Sequence, residues 1–267
     1  MKFFTQCDKM KSMKILFDIG RTKIRLAGAR DDLSLTDIKI FDTPNEVVGG
    51  IEVFKTFINS LENEGVVDGL AGGASRVVWG GVSVSGSLSQ ALSLPVAVEN
   101  DSAVVALGEA TAGAGSNHPV VGYLTISSGV GGARIVDGQI DRTASGFEPG
   151  HQIIDFKGKS KLEDLVSGLA VEKRFGQEPK TITDEAVWDE LSQILAFGVN
   201  NAIVFWSPDV LVLGGSMMKS PGIKIDQVKQ KLTEILKIYP SLPEIKLAEL
   251  GDVGGIYGAL ELIKKSC

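Results

Sequence analysis

Asn100 and Asp101 stand where a predicted strand meets a predicted helix, and a carboxylate at such a junction could take part in chemistry. The strand is LPVAVEND, and the helix that follows, SAVVALGEATAGAG, consists mostly of small residues. An aspartate held at a strand end can accept the proton of an alcohol that attacks a phosphoryl group. Aspartate is also a common N-cap residue. Taken alone, Asp101 is consistent with both roles.

Three glycine-containing turns could bind an anion, because glycine lets backbone N–H groups approach it without a Cβ in the way. Two of them join predicted strands, in ILFDIGRTKIRLAG and YLTISSGVGGARIVDG, and the third, Gly214-Gly215, follows the strand of DVLVLGGS. Beside the first turn, Asp18, Thr22 and Lys23 combine the acceptor, hydroxyl and cation that a metal-bound polyphosphate needs. Each turn could instead only close a hairpin, and the spacing is not that of the Walker P-loop.

Strands and helices that alternate along the chain must position these residues. MKILFDIG and KIRLAGAR predict a β-hairpin, and Thr43, Pro44 and Glu46 form a capping box that predicts a helix starting at Pro44. RVVWGGVSVSG predicts only strand or loop, whereas apolar periodicity predicts helices over 191–206, 225–238 and 254–265. The alternation indicates an α/β fold. The two similar strand-turn-strand segments suggest a duplicated, two-lobed architecture.

Composition argues against several classes of protein. The 267 residues, 43% of them hydrophobic, are enough for two lobes. The net charge of −6 and the lack of a basic stripe argue against a nucleic-acid partner. The longest uncharged stretch, 77–98, is too polar to span a bilayer, and MKFFTQCDKMK lacks the apolar region of a signal peptide. Cys7 and Cys267 suit neither a disulfide framework nor a metal cage, so we expect a cytoplasmic protein without a membrane partner.

Five motifs together resemble those of the ROK family, the bacterial sugar kinases and related repressors of the actin-like ATPase superfamily. They are FDIGRTKIRLAG, VENDSAVVALGEA, TISSGVGGARIVDG, GFEPGHQ and LVLGGSMM, which follow the family's order and approximate spacing between residues 13 and 262. The resemblance implies a ribonuclease H-like α/β fold with two lobes around a central cleft. The N-terminal lobe would comprise 13–112 joined by the C-terminal helix 251–267, and the C-terminal lobe would comprise 113–250.

The resemblance also implies a role for each motif residue. Asp101 would be the catalytic base, and Asn100, Glu148 and His151 would bind the sugar hydroxyls. Asp18 would hold Mg²⁺ through water. The cofactors that it implies are ATP and Mg²⁺, and the ATP-binding residues would come from the three glycine turns: Asp18, Gly20, Thr22, Lys23, Ser128, Gly129, Gly131, Gly132, Gly214 and Gly215.

Three features depart from the family pattern. Arg21 stands where the family usually has a second glycine, and it could add charge toward the phosphates or obstruct them if the backbone needs a positive φ. HQIIDFKGKSKLED lacks the cysteines that complete the family's zinc site with the motif histidine, so no structural zinc is expected. A longer loop with a sugar-contacting Pro-Asn pair is missing between AGGASR and WGG.

The predicted function is ATP-dependent phosphorylation of a hexose or hexose derivative. The alternative is a weakly active or inactive ROK-like protein that binds nucleotide or sugar in a regulatory or scaffold role, because the nucleotide motifs are better retained than the sugar loop. A repressor is disfavoured, because only about a dozen residues precede the first strand and the family's repressors carry an N-terminal winged-helix domain there. The family commonly forms dimers, so the resemblance implies a homodimer.

Overall fold

The structure, a computed structural model, describes residues 12–264 and groups the chain into two units. The first unit extends to Asp101 and resumes at Ala259, and the second is Ser102–Gly258. The first unit is therefore discontinuous, as the predicted N-terminal lobe is, but residues 102–112 and 251–258 are grouped with the second unit. The predicted lobe boundaries stay a prediction. Cys7 and Cys267 lie outside the described residues.

The first unit is built on a five-stranded sheet in the order β3-β2-β1-β4-β5. β1 pairs with β2 as an antiparallel hairpin and with β4 in parallel, and β5 lies parallel to β4. Its strands are β1 (Ser12–Ile19), β2 (Lys23–Arg30), β3 (Lys39–Asp42), β4 (Val66–Ala74) and β5 (Val96–Asn100), and its first two helices are α1 (Val47–Asn59) and α2 (Val84–Leu92).

The second unit has a five-stranded sheet in the order β12-β11-β6-β7-β8 and a separate hairpin of β9 and β10. Its strands are β6 (Val120–Ile126), β7 (Val130–Val136), β8 (Gln139–Ile140), β9 (Ile153–Asp155), β10 (Ser160–Lys161), β11 (Val210–Gly214) and β12 (Glu244–Leu247). α3 (Asp101–Ala112) begins one residue before the unit, and α8 (Gly254–Lys264) continues into the first unit. Between them lie α4 (Glu163–Val166), α5 (Gly168–Phe175), α6 (Glu185–Trp206) and α7 (Ile225–Ile235).

The two five-stranded sheets have the same topology. In each, an antiparallel hairpin, β1-β2 or β6-β7, is extended on one side by a short antiparallel strand, β3 or β8. On the other side lie two parallel strands, β4 and β5 or β11 and β12. The duplication suggested by the two strand-turn-strand segments is therefore present in the fold.

Most of the predicted elements are present. The hairpin of β1 and β2, the strand β5 before α3 and the three C-terminal helices all form. α6 extends further than expected, from Glu185, and Ser207 ends it in a left-handed conformation with φ of 46°. In RVVWGGVSVSG the sequence prediction missed the start of α2, whose N-cap Ser83 accepts the N–H of Gly86 at 3.1 Å.

The predicted start of α1 is wrong. α1 begins at Val47, and its N-cap residue Glu46 makes no side-chain cap. Thr43 instead donates its hydroxyl to the carbonyl of Gly20 at 2.9 Å, and the carbonyl of Pro44 accepts the indole N–H of Trp79 at 2.9 Å. Thr43 and Pro44 of the predicted capping box thus form tertiary hydrogen bonds and do not cap α1.

A fully buried carboxylate on α3 forms hydrogen bonds with the segment that leads into α8. Glu109 accepts the backbone N–H groups of Ala114 at 3.0 Å, Glu249 at 3.1 Å and Leu250 at 2.9 Å. These three donors compensate for the cost of burying the carboxylate. The two helices approach closely through glycines at which a Cβ would overlap the facing backbone, namely Gly108 and Gly258.

Within residues 12–264, no helix is both long and apolar enough to cross a membrane.

Candidate functional site

The carboxyl ends of three parallel strands bring the predicted catalytic and metal-binding residues of the first unit to one sheet edge. Asp18 lies opposite Gly73 where β1 pairs with β4, and Asn100 lies opposite Ala74 where β4 pairs with β5. Two strand spacings of about 4.8 Å place the ends of β1 and β5 roughly 10 Å apart. Ligands of open α/β sheets bind at this edge. The edge therefore carries a pair of carboxylates, Asp18 and Asp101.

Asp18 is nearly buried at the end of β1. The residue is only 7% exposed, and its Oδ2 lies 3.4 Å from Nη1 of Arg25, its partner across the hairpin. The guanidinium offsets part of the cost of burying this carboxylate. Carboxylate oxygen is a ligand type that Mg²⁺ prefers, directly or through water. The residue type and place of Asp18 therefore fit a magnesium site.

The first glycine turn, Gly20–Thr22, is held by backbone hydrogen bonds. The N–H of Gly20 donates to the carbonyl of Lys23 at 3.0 Å, and the N–H of Thr43 donates to the carbonyl of Thr22 at 3.0 Å. The Nζ atom of Lys23 lies 2.6 Å from Oδ1 of Asp42, so its charge is shared with an exposed carboxylate. Arg21 does not have a positive φ, so the backbone of this turn does not require glycine at position 21.

Asn100 and Asp101 occupy the junction that the sequence predicts. Asn100 is the last residue of β5, Asp101 is the first residue of α3, and both side chains are half-buried. The first N–H groups of a helix point toward its N-terminus and favour negative charge there. Asp101 is thus held on rigid elements at a positively polarised helix start, which suits a catalytic carboxylate as well as a cap.

A short turn occupies the place where the family resemblance implies the longer sugar loop. β4 leads to α2 through the 3₁₀ turn Val78–Gly81, in which Trp79 has a positive φ of 51°. Trp79 is buried, its indole donates to Pro44, and its ring fills the space that a side chain at Gly50 would need. A left-handed conformation is strained for a bulky residue, so these contacts compensate for it.

In the second unit, Ser127 joins the second glycine turn to two neighbouring segments. Its N–H donates to the carbonyl of Gly129 at 2.8 Å, its carbonyl accepts the N–H of Gly168 at 2.7 Å, and its Oγ lies 3.2 Å from Oγ of Ser216. Gly215, with φ of 96°, packs so closely that a Cβ would overlap the backbone of Ile126. Ser128, Gly129 and the pair Gly214-Gly215 are therefore brought together by the fold.

Gly131 and Gly132 lie in the first half of β7, beyond the turn itself. A side chain at Gly131 would overlap the hydroxyl of Ser102, the residue after Asp101, and one at Gly132 would overlap the carbonyl of Tyr123. Both glycines thus permit close packing of β7 in this unit. Their predicted role in ATP binding stays a prediction.

The EPGH motif forms a 3₁₀ turn, Pro149–His151, against β7. Glu148 precedes the turn and is exposed, and a Cβ at Gly150 would overlap the carbonyl of Val130. Nε2 of His151 lies 3.8 Å from Oε1 of Glu163, and Oε2 of Glu163 accepts the N–H of Val130 at 3.1 Å. Glu163 thus joins the motif histidine to the second glycine turn. The sequence prediction missed Glu163, for which the only signal was one carboxylate in the charged run KLED.

The segment without cysteines folds into the hairpin of β9 and β10. Asp155 closes it by accepting the N–H groups of Lys157 at 3.0 Å and Gly158 at 2.8 Å. Across residues 12–264, no group of three or more His, Cys, Asp or Glu side chains is arranged to hold a metal ion. The absence of structural zinc stays a prediction.

The duplicated sheets and the placement of the motifs define a two-unit α/β protein of the actin-like ATPase fold. The ROK family profile matches residues 15–266, so the chain belongs to the ROK family. A fructokinase of Pediococcus pentosaceus is 30% identical over 69% of this chain and 69% of its own length. An uncharacterized protein of Clostridium perfringens is 28% identical over 94% of this chain and 97% of its own.

The solved structures support the fold. A ROK family glucokinase from Streptomyces griseus, in complex with glucose and AMPPNP, superposes with a TM-score of 0.77 at 21% identity, covering 95% of this chain and 99% of that one. At this identity the likeness shows the fold alone. The fold class that the five motifs imply is confirmed.

Proposed function

We propose that this protein transfers the γ-phosphoryl group of ATP to a hydroxyl of a hexose or hexose derivative. The observation that carries the proposal is the pair of carboxylates, Asp18 and Asp101, at the carboxyl ends of parallel strands in one sheet. Phosphoryl transfer to an alcohol requires charge neutralisation at the phosphates and an acceptor for the hydroxyl proton. Two carboxylates on rigid elements can divide these two tasks.

In the first unit, Asp101 accepts the proton of the attacking hydroxyl as the new bond forms, while Asn100 orients the sugar. The N–H dipoles at the start of α3 face the same junction and favour the negative charge that develops there. Asp18 would hold Mg²⁺ through water, and Thr22 and Lys23 beside it would bind the phosphates. Mg²⁺ would neutralise phosphate charge when bound.

In the second unit, Ser128, Gly129, Gly131 and Gly132 bind phosphate, and Gly214 with Gly215 flanks the adenosine. Glu148 and His151 bind sugar hydroxyls. Glu163 is added to these sugar-binding residues because it contacts both His151 and the second glycine turn. The glucose and AMPPNP of the Streptomyces griseus glucokinase and the activity named for the Pediococcus pentosaceus protein support these ligand classes.

The second candidate is a ROK-like protein that binds nucleotide without efficient turnover. The observation that favours it is the short connection between β4 and α2, where Trp79 is buried against α1 and Pro44. This turn leaves no long loop at the carboxyl end of β4 to contact a sugar. The nucleotide-binding turns would then serve a regulatory or scaffold role.

The experiment measures ADP release by the purified protein with Mg-ATP over a panel of hexoses, N-acetylhexosamines and fructose. Asp101→Asn should lower turnover by roughly two to four orders of magnitude, because it removes the proton acceptor. Asp137→Asn is the matched control, since Asp137 lies in the turn between β7 and β8 with a positive φ that asparagine also adopts.

Sugar-dependent release that Asp101→Asn eliminates and Asp137→Asn leaves intact would support the kinase. No release with any sugar, together with a Tm that Mg-ATP still raises, would favour the second candidate. A wild-type rate for Asp101→Asn would remove Asp101 from the mechanism.

We also propose a homodimer formed through α6. Phe197, Val204 and Phe205 lie at helical spacing on one exposed face, and Phe205 is 82% exposed. Large apolar side chains exposed together on one helix are typical of a protein interface. Light scattering should give twice the chain mass for the wild type and a monomer for Phe205→Asp. An unchanged mass for the variant would exclude this face as the interface.

A further inference from the structure

Lys161 brings a positive charge directly to the imidazole of His151. The Nζ atom of Lys161 lies 3.2 Å from Nδ1 of His151, and Nε2 on the other side of the ring faces Oε1 of Glu163 at 3.8 Å. A lysine ammonium has three donors and no acceptor. Nδ1 can form this hydrogen bond only as the acceptor, so the ring proton of a neutral His151 must be on Nε2.

The backbone around both residues is fixed. Lys161 lies in β10, and its N–H donates to Oδ2 of Asp164 at 3.1 Å. The carbonyl of Gln152 accepts the N–H of Leu162 at 2.9 Å, which ties the residue after Lys161 to the residue after His151. Asn201 of α6 in turn donates its side-chain N–H to Oε1 of Gln152 at 2.8 Å. The contact between Lys161 and His151 is thus built into the hairpin and the 3₁₀ turn.

We propose that Lys161 is a positioning residue that holds His151 in the tautomer protonated at Nε2, so that the ring presents an N–H donor beside the carboxylate of Glu163. The separation of 3.8 Å is too long for a direct hydrogen bond. A hydroxyl oxygen about 2.8 Å from each atom accepts from Nε2–H and donates to Oε1. The pair therefore recognises one hydroxyl as both donor and acceptor, and this consequence rests on the proposed sugar kinase function.

The other histidine provides an internal control. Nδ1 of His118 lies 3.0 Å from the carbonyl of Ser116 and 3.3 Å from that of Gly115. Nε2 of His118 lies 3.6 Å from Oε2 of Glu244, which is beyond hydrogen-bond distance. Carbonyl oxygens only accept hydrogen bonds, so the contacts at Nδ1 place the proton of a neutral His118 ring on Nδ1. The chain has two histidines, and the structure assigns opposite tautomers to them.

The test is a long-range ¹H–¹⁵N correlation spectrum of the full-length, tag-free, ¹⁵N-labelled protein at a pH of about 8.5, where imidazole side chains are ordinarily neutral. His118→Gln assigns the two rings. We expect His151 protonated on Nε2 and His118 protonated on Nδ1. Lys161→Met, which keeps the apolar stem and removes the charge, should give His151 a measurable fraction of the Nδ1-protonated form without changing His118. Lys161→Arg, which also has only donors, should restore the single tautomer.

Protonation of His151 on Nδ1 in the wild type, or an unchanged His151 spectrum in Lys161→Met, would overturn the proposal. Among the sugars that support turnover, Lys161→Met should raise KM about tenfold with little change in kcat, because one substrate hydrogen bond is weakened. Lys161→Arg should recover the wild-type KM. The spectra do not depend on turnover, so an absence of kinase activity would refute the proposed function while the tautomers still decide the role of Lys161.

Discussion

The central hairpins of the two sheets differ in chemistry at the second residue pair from the turn. In the first, Asp18 pairs with Arg25 on β2 and with Gly73 on β4. In the second, the same place on β6 is occupied by Thr125, which pairs with Gly131 on β7 and Gly214 on β11. The first hairpin therefore contains an ion pair of its own. In the second hairpin, Thr125 instead has a glycine on each neighbouring strand.

The second hairpin receives its carboxylate from another element. Glu163 of α4 accepts the N–H of Val130 directly after the turn. Duplication of the fold thus repeats the turn, but the charges at each turn are supplied separately. This difference predicts that the first hairpin is sensitive to loss of a charge and the second to loss of a glycine.

The largest effect is expected at the paired positions Asp18 and Thr125. Asp18→Asn should lower Mg-ATP-dependent turnover by roughly two to three orders of magnitude, because a neutral amide is a poor ligand for hydrated Mg²⁺. Thr125→Ala should change turnover by less than about threefold. The measurement is initial rate against Mg²⁺ concentration, with Tm as the check on folding. Equal losses in both variants would contradict the asymmetry of the hairpins.

The next effect compares a buried with an exposed carboxylate. Glu109→Ala in the second unit leaves three backbone N–H groups without their acceptor and should lower the free energy of unfolding by about 3 kcal/mol or more. Asp68→Asn in the first unit removes a partly exposed ion pair with Lys14 and should cost less than about 1 kcal/mol. Urea denaturation measures both, and similar values would contradict the expected difference.

The pH dependence of the Asp68 effect has a definite sign. Burial raises the pKa of Asp68, but the hydrogen bond from Ser12 and the charge of Lys14 outweigh it and hold the pKa below the ordinary value of 3.8. The stabilisation is therefore complete above that pH and is lost as the pH falls through the lower folded-state pKa. The difference between wild type and Asp68→Asn should be constant near neutral pH.

A smaller effect distinguishes the glycines of the two turns. Gly215→Ala should lower the free energy of unfolding by about 2 kcal/mol, because its φ is positive and the new Cβ would overlap the Ile126 backbone. Gly20→Ala should cost less than about 1 kcal/mol, since its Cβ would lie 3.5 Å from its nearest neighbour, the carbonyl oxygen of Lys23. Thermal unfolding compares the two variants, and a greater loss at Gly20 would reverse the interpretation.

The smallest effect is expected at Arg21. Its backbone does not adopt a positive φ and its side chain is exposed, so Arg21→Gly should change the KM for ATP by less than about threefold. Steady-state kinetics at saturating sugar measures this. A large gain in activity would instead mean that the arginine side chain obstructs the phosphates.

The sequence by itself determined the alternation of elements, the two similar hairpins and the junction at Asp101. These features follow from local periods of apolar residues and from glycines at turns, which act within a few positions of the chain. The family motifs and the absence of the zinc cysteines were equally visible. The residue order therefore sufficed for the fold class, and it named most residues of the candidate site, whose roles stay predictions.

Only the tertiary structure decided how side chains distant in sequence share their partners. The predicted capping box does not form, because the hydroxyl of Thr43 donates to the carbonyl of Gly20. Trp79 adopts a strained backbone because its indole donates to Pro44 and its ring packs against Gly50. Lys161 reaches His151 because a hairpin brings β10 beside the 3₁₀ turn. Such contacts depend on which elements pack together, and the packing free energy that selects them is not contained in any local pattern.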